Sequence, residues 1–222
     1  METPRLAPPV HVRIVEGLER IATALKSDDW ARSRSLGVNP TQLAILRALD
    51  GRRSGLSVKD LSSHLGVSQP TVTDSILALE RKALVEKRAD PADGRSVRIL
   101  LTTTGAAAVR TAEGVAGGVS QATAALHDED QEQLLVQLVS VIRQLQEQGA
   151  IPIQRMCVGC RYFRPYAHED AAHPHHCNFV DAAFGQQDLR IDCRDYETAD
   201  PSARAATWAA FQKDHSLHPP GS

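Results

Sequence analysis

No apolar run in the 222-residue chain approaches the roughly 18–20 residues that a membrane-spanning helix needs, which removes helical membrane proteins from consideration. The first residues, METPRLAPPVHVR, lack the apolar stretch of a secretory signal, so the expected compartment is the cytoplasm. In that reducing setting structural disulfides are not expected. An excess of one charge is missing as well. The net charge of −2 excludes a surface that attracts polyanions everywhere, and any basic patch must be local. Aromatic residues are only 4% of the chain, and cysteine is absent outside Cys157–Cys193. No internal repeat is visible. What remains is a chain long enough to bury a real core, as one domain with an appendage or as two small domains.

Apolar spacing and caps supply the expected elements. Residues 1–9 are Pro-rich and read as a flexible N-terminus. From Val10 to about Lys26, Ile14, Leu18, Ile21 and Leu25 recur at helical spacing and make an amphipathic helix. Asn39-Pro40-Thr41 opens a second helix with Leu43, Ile45, Leu46 and Leu49 inward, closed at Asp50-Gly51. Ser57 is placed to cap a third, with Val58, Leu61 and Leu65 inward and Gly66 at its end. Ser68 caps a fourth that runs to about Lys82, with Val72, Ile76, Leu77 and Leu79 inward. Leu84–Arg88 and Val97–Leu101 are short β-type runs around Asp90-Pro91-Ala92-Asp93-Gly94, a turn signal, and together predict a hairpin. An Ala-rich helix over roughly 105–126 follows, weakened by Gly114, Gly117 and Gly118. A further helix from Asp128 to about Gln148 carries Leu134, Leu135, Leu138, Ile142 and Leu145 at heptad-like spacing.

Two short helices, a tight turn and a charged hairpin, in that order, are what a winged helix-turn-helix uses to place one helix in a DNA major groove and a loop beside it. The first residues of the second helix must then be small or polar hydrogen-bonders, and Ser68, Gln69, Pro70, Thr71, Thr73, Asp74 and Ser75 meet that demand. Gln69 can bond adenine bidentately, and a threonine methyl can meet the thymine methyl. Around the hairpin, Arg88, Arg95 and Arg98 are the candidate DNA contacts. Arg95 is at the tip, where an arginine can enter a narrow minor groove. Between Glu80 and Arg98 six Lys/Arg stand against four acids, a modest local excess.

The chain here resembles the MarR family of bacterial transcription regulators. The residues that carry the resemblance are Leu61, Leu65, Gly66, Val67, the Ser68–Leu79 helix, Glu80, Leu84-Val85, Arg88, Asp90, Asp93, Arg95 and the Leu101-Thr102-Thr103-Thr104-Gly105 close. It covers about residues 10–148. One departure is Ala83, where the family usually has glycine. The resemblance implies a homodimer built by the first helix and the helices of 105–148. It would present two recognition helices to a pseudo-palindromic site on double-stranded DNA, with repression as the more frequent outcome and a small-molecule effector possible.

The remaining signal is the cysteine set. Cys157-Val-Gly-Cys160 is a C-x2-C pair, Cys177 follows after sixteen intervening residues and Cys193 after fifteen more. Four thiolates in a short segment with little periodic core point to a metal centre, either tetrahedral zinc or an iron–sulfur cluster. His173, His175 and His176 are possible substitute ligands. The second half shows two isolated cysteines rather than a second C-x2-C knuckle, and the choice stays open with a slight preference for zinc. Tyr162, Phe163, Tyr166, Phe179, Phe184 and Tyr196 concentrate most of the aromatics here, as expected of a mini-core. Arg161, Arg164, Arg190 and Arg194 are placed to offset thiolate charge.

The expected fold class is therefore mainly α with a small β-hairpin wing: a winged helix-turn-helix with long dimerisation helices plus a small metal-stabilised C-terminal module. The expected domains are 10–150 for DNA binding and dimerisation, 151–200 for the cysteine module, and 201–222 for a short helix with Trp208 and Phe211 followed by a disordered tail. The expected function is a DNA-binding regulator, not an enzyme, that responds to a small molecule or to a redox or metal signal. Two alternatives accompany it. One is a thiol-redox enzyme using Cys157 and Cys160, although the βαβ context of such a pair is missing. The other is a constitutive DNA-binding protein whose zinc is purely structural.

Overall fold

The computed structural model describes residues 7–90 and 96–215. Its contacts divide the chain into two compact units. One takes in the chain to Asp50 and Ser54–Ala125, the other Gly51–Arg53 and the chain from Leu126. Among the described residues no helix is long and apolar enough to cross a membrane.

The first unit is built on caps. In α2 (Pro40–Leu49) the Asn39 side chain accepts the Gln42 N–H at 2.8 Å, and the Gln42 side chain accepts the Asn39 N–H in return. Ser57 and Asp60 make the same reciprocal pair at the start of α3 (Val58–Leu65). Each pair satisfies backbone N–H groups that the helix itself leaves unpaired. Gly66 in the left-handed region turns the chain from α3 into α4 (Gln69–Arg81), whose cap is Ser68. Leu43, Ile45, Leu46, Leu61, Val72, Ile76 and Leu79 of these helices form the core. Leu77, expected inward, is 43% exposed.

Strands β1 (Val85–Ala89) and β2 (Val97–Leu101) pair antiparallel, with Arg88 opposite Arg98 and Lys87 opposite Ile99. Leu56 adds a bridge to Ile99, exchanging two backbone hydrogen bonds at 2.8 and 3.0 Å. Ile99 is fully buried and anchors the wing in the core.

Two elements differ from expectation. The first helix, α1, spans Val10–Ser35 rather than stopping near Lys26. Its last turns, SDDWARSRS, are polar and carry no apolar period, but they are tied down. Asp29 pairs with Arg47 at 2.7 Å, and the Arg32 guanidinium donates to the Val115 carbonyl at 3.1 and 3.2 Å. The Ala-rich helix is two helices, α5 (Thr103–Glu113) and α6 (Gly118–Ala124). The break falls on the glycines Gly114 and Gly117, where helix propensity is lowest.

Ala83 sits between α4 and β1 with φ +55°, the left-handed region. It is the turn residue of a two-bond helix stop: the Leu84 N–H reaches the Leu79 carbonyl at 3.0 Å and the Ala83 N–H the Glu80 carbonyl at 2.9 Å. Glycine fits this position without a Cβ penalty, so Ala83 costs the fold about 1 kcal/mol. Ala83→Gly is expected to raise stability by about 0.5–1 kcal/mol, the gain being partly offset by glycine's greater chain entropy. Thermal unfolding of the two proteins side by side measures it, and an unchanged or lower midpoint would show that the turn is not strained.

The second unit holds α7 (Asp128–Glu147), the antiparallel sheet of β3 (Phe163–Arg164), β4 (His175–Cys177) and β5 (Ala182–Phe184), and α8 (Pro201–His215). The buried residues of α7 are Val136, Val139 and Arg143, while Leu134 and Leu145 of the heptad-like stripe are exposed. Val136 and Val139 pack with Met156, Val158, Phe163, Leu189 and Phe211. Thus α7, read from sequence as part of the 10–150 segment, shares its core with the cysteine-bearing chain. Phe211 of α8 lies at the centre of that core, within 6.2 Å, ring centre to ring centre, of Phe163, Tyr166, His175 and Trp208.

Candidate nucleic-acid interface and cysteine cavity

The face of α4 away from the core is made by its cap and first two turns. Ser68, Gln69, Pro70, Thr71, Thr73 and Asp74 are all exposed. The Ser68 and Thr71 hydroxyls lie 2.8 Å apart, and the Thr73 hydroxyl donates to the Gln69 carbonyl at 2.9 Å. These local bonds fix two of the polar side chains, and Gln69, at the first helical position, reaches outward. Ser75 does not join them: it is 7% exposed, on the same face as Val72, Ile76 and Leu79.

The three wing arginines divide. Arg88 is exposed on β1 and paired with Glu86 beside it. Arg98 is half-buried; its guanidinium donates to Asp90 at 2.6 Å and to Asp60 at 3.3 Å. That geometry makes Arg98 a strut between the base of the wing and the start of α3, and it neutralises the buried carboxylate of Asp90. Sequence reading missed Asp60 in this double role as cap and ion-pair partner, although Ser57-x-x-Asp60 is a capping-box spacing. Arg95 and the turn 91–94 lie outside the described residues.

In the second unit all four cysteines line one partly open cavity of about 220 Å³, together with Tyr162, Phe163, Phe179, Phe184 and Arg190 among others. Cys157 and Cys160 are held by a tight turn in which the Cys160 N–H bonds the Cys157 carbonyl at 2.9 Å. Cys177 is carried by β4 opposite Phe163, and Cys193 is fixed by its N–H to the Arg155 carbonyl at 2.9 Å. The Arg190 N–H points at the Cys157 sulfur at 3.3 Å. The four are unbridged. Burial pushes the Cys157 thiol up to about 11; the Arg190 N–H works against this, and the neighbouring thiols of Cys193, Cys160 and Cys177 add to it. The sheet beside these cysteines is antiparallel and no βαβ unit is present among the described residues, so the thiol-redox alternative is not favoured. Among the described residues no three His, Cys, Asp or Glu side chains converge closely enough to hold one metal ion.

None of the three candidate histidines lines this cavity. His173 is exposed and bonds Asp170 at 3.0 Å, and His176 lies 3.1 Å from His168 and 3.3 Å from Asp181. His175 is fully buried between Phe163, Tyr166, Phe184 and Phe211. Its Nδ1 accepts the Tyr166 N–H at 3.2 Å, while its Nε2 has no hydrogen-bond partner among the described residues. Burial lowers its pKa to about 4, so the ring is neutral at pH 7. Of the expected mini-core, Phe163 is buried and Phe179 is 49% exposed at the cavity.

A recognition helix set on a helix-turn-helix and flanked by a two-stranded wing defines the winged helix-turn-helix class. Residues 36–96 match the model of the MarR family, about a quarter of the chain. No curated protein matches. Among solved structures, the chain is similar to a MarR transcriptional regulator from Methanosarcina mazei Go1, with 18% identity over 60% of this chain and 96% of that one (TM-score 0.54). It is also similar to the transcriptional regulator BldR from Sulfolobus solfataricus, with 20% identity over 60% and 95% of the two chains (TM-score 0.52). A third is wild-type MarR from E. coli in its apo form, with 21% identity over 61% and 98% (TM-score 0.50). At these identities the likeness is one of fold: three-fifths of the chain has the winged-helix fold of MarR-type regulators.

Proposed function

We infer that the chain is a DNA-binding transcription regulator that acts as a homodimer, inserting α4 into the major groove with the wing alongside. The observation that carries this reading is the start of α4, where Gln69, Thr71, Thr73 and Asp74 stand exposed while Val72, Ile76 and Leu79 lock the other face into the core. A helix fixed in this way presents hydrogen-bonding side chains to base edges at little further cost in conformational entropy. The match of residues 36–96 to the MarR family supports it, as do the names of the structural neighbours, which are transcriptional regulators.

The homodimer is supported by α1. Ile14, Leu18, Ile21 and Leu25 form one stripe of that helix and are 40–54% exposed, an apolar surface that a second copy would cover. Two copies related by a two-fold axis would read half-sites about one helical turn apart.

Gln69→Ala removes a side chain that contributes nothing to the core, so folding should be unchanged. On a duplex that the protein enriches from random sequence, its affinity should fall by about 5–150-fold, the equivalent of about 1–3 kcal/mol. Fluorescence anisotropy measures it, and equal affinity would remove Gln69 from the interface. Sedimentation at micromolar concentration should give a dimer; a monomer there would refute the two-copy arrangement.

A further inference from the structure

We propose that the cavity formed by Cys157, Cys160, Cys177 and Cys193 binds an iron–sulfur cluster and not a single zinc ion. This goes beyond the DNA-binding reading and does not rest on it. Four observations carry it. All four cysteines line one cavity, brought there by three separate pieces of chain: the 157–160 turn, β4, and the loop at Cys193. Zinc at about 2.3 Å from each thiolate would draw the sulfurs to within about 3.8 Å of one another. In a cluster the thiolates are distributed over different irons, so they stand farther apart and leave room between them for iron and inorganic sulfide. The cavity supplies that room, since about 220 Å³ is several times the roughly 30 Å³ share of one water molecule.

The remaining two observations concern the surroundings. Four cysteines line the cavity and none of the three nearby candidate histidines does; the carboxylates of Asp188 and Asp195 also line it, and Asp188 already accepts the Gly185 N–H at 3.1 Å. Iron–sulfur clusters are held mostly by thiolates in this way. The walls are aromatic, with Tyr162, Phe163 and Phe184 at the site, and the Arg190 N–H already points at a ligand sulfur at 3.3 Å. Apolar walls limit water at a cluster, and backbone N–H···S bonds stabilise its thiolates. The cluster would cross-link the three pieces of chain and supply folding energy to a unit whose sheet strands are only two or three residues long.

The test uses the full chain, purified without oxygen and separately reconstituted with ferric iron and sulfide in the presence of a thiol reductant, then freed of excess reagent. The expected result is iron and acid-labile sulfide in equal amounts, about two to four of each per chain, with broad visible absorption that fades on exposure to air. Cys177→Ser and Cys193→Ser should each lower the iron content severalfold. His173→Ala and His176→Ala should leave it unchanged, and these exposed or half-buried positions do not threaten the fold. A colourless protein holding one zinc per chain that iron and sulfide do not replace would overturn the proposal. So would iron bound without sulfide, or iron lost from the histidine variants. Each of these results is read without DNA, so it stands apart from any failure of DNA binding.

Discussion

Replacing Gly105 with alanine is expected to destabilise the first unit by about 2–3 kcal/mol, the upper part of the range for overpacking a tight contact. A Cβ at Gly105 would stand 2.0 Å from the Leu84 carbonyl oxygen, 2.9 Å from its carbon and 3.2 Å from Leu101 Cδ2. The carbonyl is backbone at the joint between α4 and β1, and it accepts the Thr102 N–H at 3.2 Å, so it cannot swing away freely. Thr102 adds a second constraint. Its hydroxyl accepts the Gly105 N–H at 3.0 Å, capping α5, and donates to the Ala83 carbonyl at 2.7 Å. Alanine must therefore push the start of α5 off the root of the wing and weaken the cap with it. This is a physical reason for glycine at the end of the Leu101-Thr102-Thr103-Thr104-Gly105 stretch. Urea unfolding of the two proteins should show the loss, at about 1–3 kcal/mol per molar urea; a change below about 0.5 kcal/mol would mean that the approach is looser than described.

The second large effect is in the other unit. Phe211→Ala is expected to cost about 3–5 kcal/mol, the usual range for deleting a fully buried aromatic ring. Phe211 is 1% exposed, and its ring centre lies 5.6 Å from that of Trp208, 5.8 Å from His175 and 6.2 Å from both Phe163 and Tyr166. Truncation leaves a cavity that rings held by β3, β4 and α8 cannot all close. It also deprives the unpartnered His175 Nε2 of its apolar seal, so water gains access to the core. The chain's two tryptophans are Trp30 and Trp208, so fluorescence in a Trp30→Phe background reports this unit alone. The urea midpoint should fall by more than about 1 M. A loss under about 1 kcal/mol would place Phe211 at the edge of the core rather than its centre.

Legibility from sequence followed the physics of each segment. The helices α2, α3 and α4 were readable because short-range chemistry defines them: Asn39, Ser57 and Ser68 as caps, Pro40 and Pro70 in first turns, Gly66 as a stop. The hairpin was readable from two β-type runs around a turn signal, and its register is set by burying Ile99. The exposed set on α4 followed from helix position, with Ser75 as the exception, since a small polar residue on the inner face leaves no mark in composition.

What failed to show was decided by long-range contacts. The last turns of α1 are held by Asp29–Arg47 and Arg32–Val115, pairs distant in sequence. The ion pairs of Arg98 are invisible in the sequence because its partners, Asp60 and Asp90, come together only in the folded unit. In α7 the leucine spacing is the stronger sequence pattern, yet Val136 and Val139 are the fully buried positions, with Leu135 and Ile142 partly buried against the same core and the Arg143 guanidinium 5.0 Å above the Trp208 ring. In the cysteine unit the sheet strands are too short to carry a period, and the roles of His175 and Phe211 arise only where β4 meets α8.

The central claim is that α4, carried in pairs, reads a DNA sequence. The most direct measurement is selection of duplexes from a random pool by the full-length protein, followed by affinity titration of the enriched sequence at two salt concentrations. The account predicts an enriched pseudo-palindrome with half-sites about one helical turn apart. It also predicts an affinity for that sequence about 10³-fold or more above that for unrelated DNA, falling as salt rises. A pool with no enriched sequence, or binding that is equal for all duplexes, would contradict it.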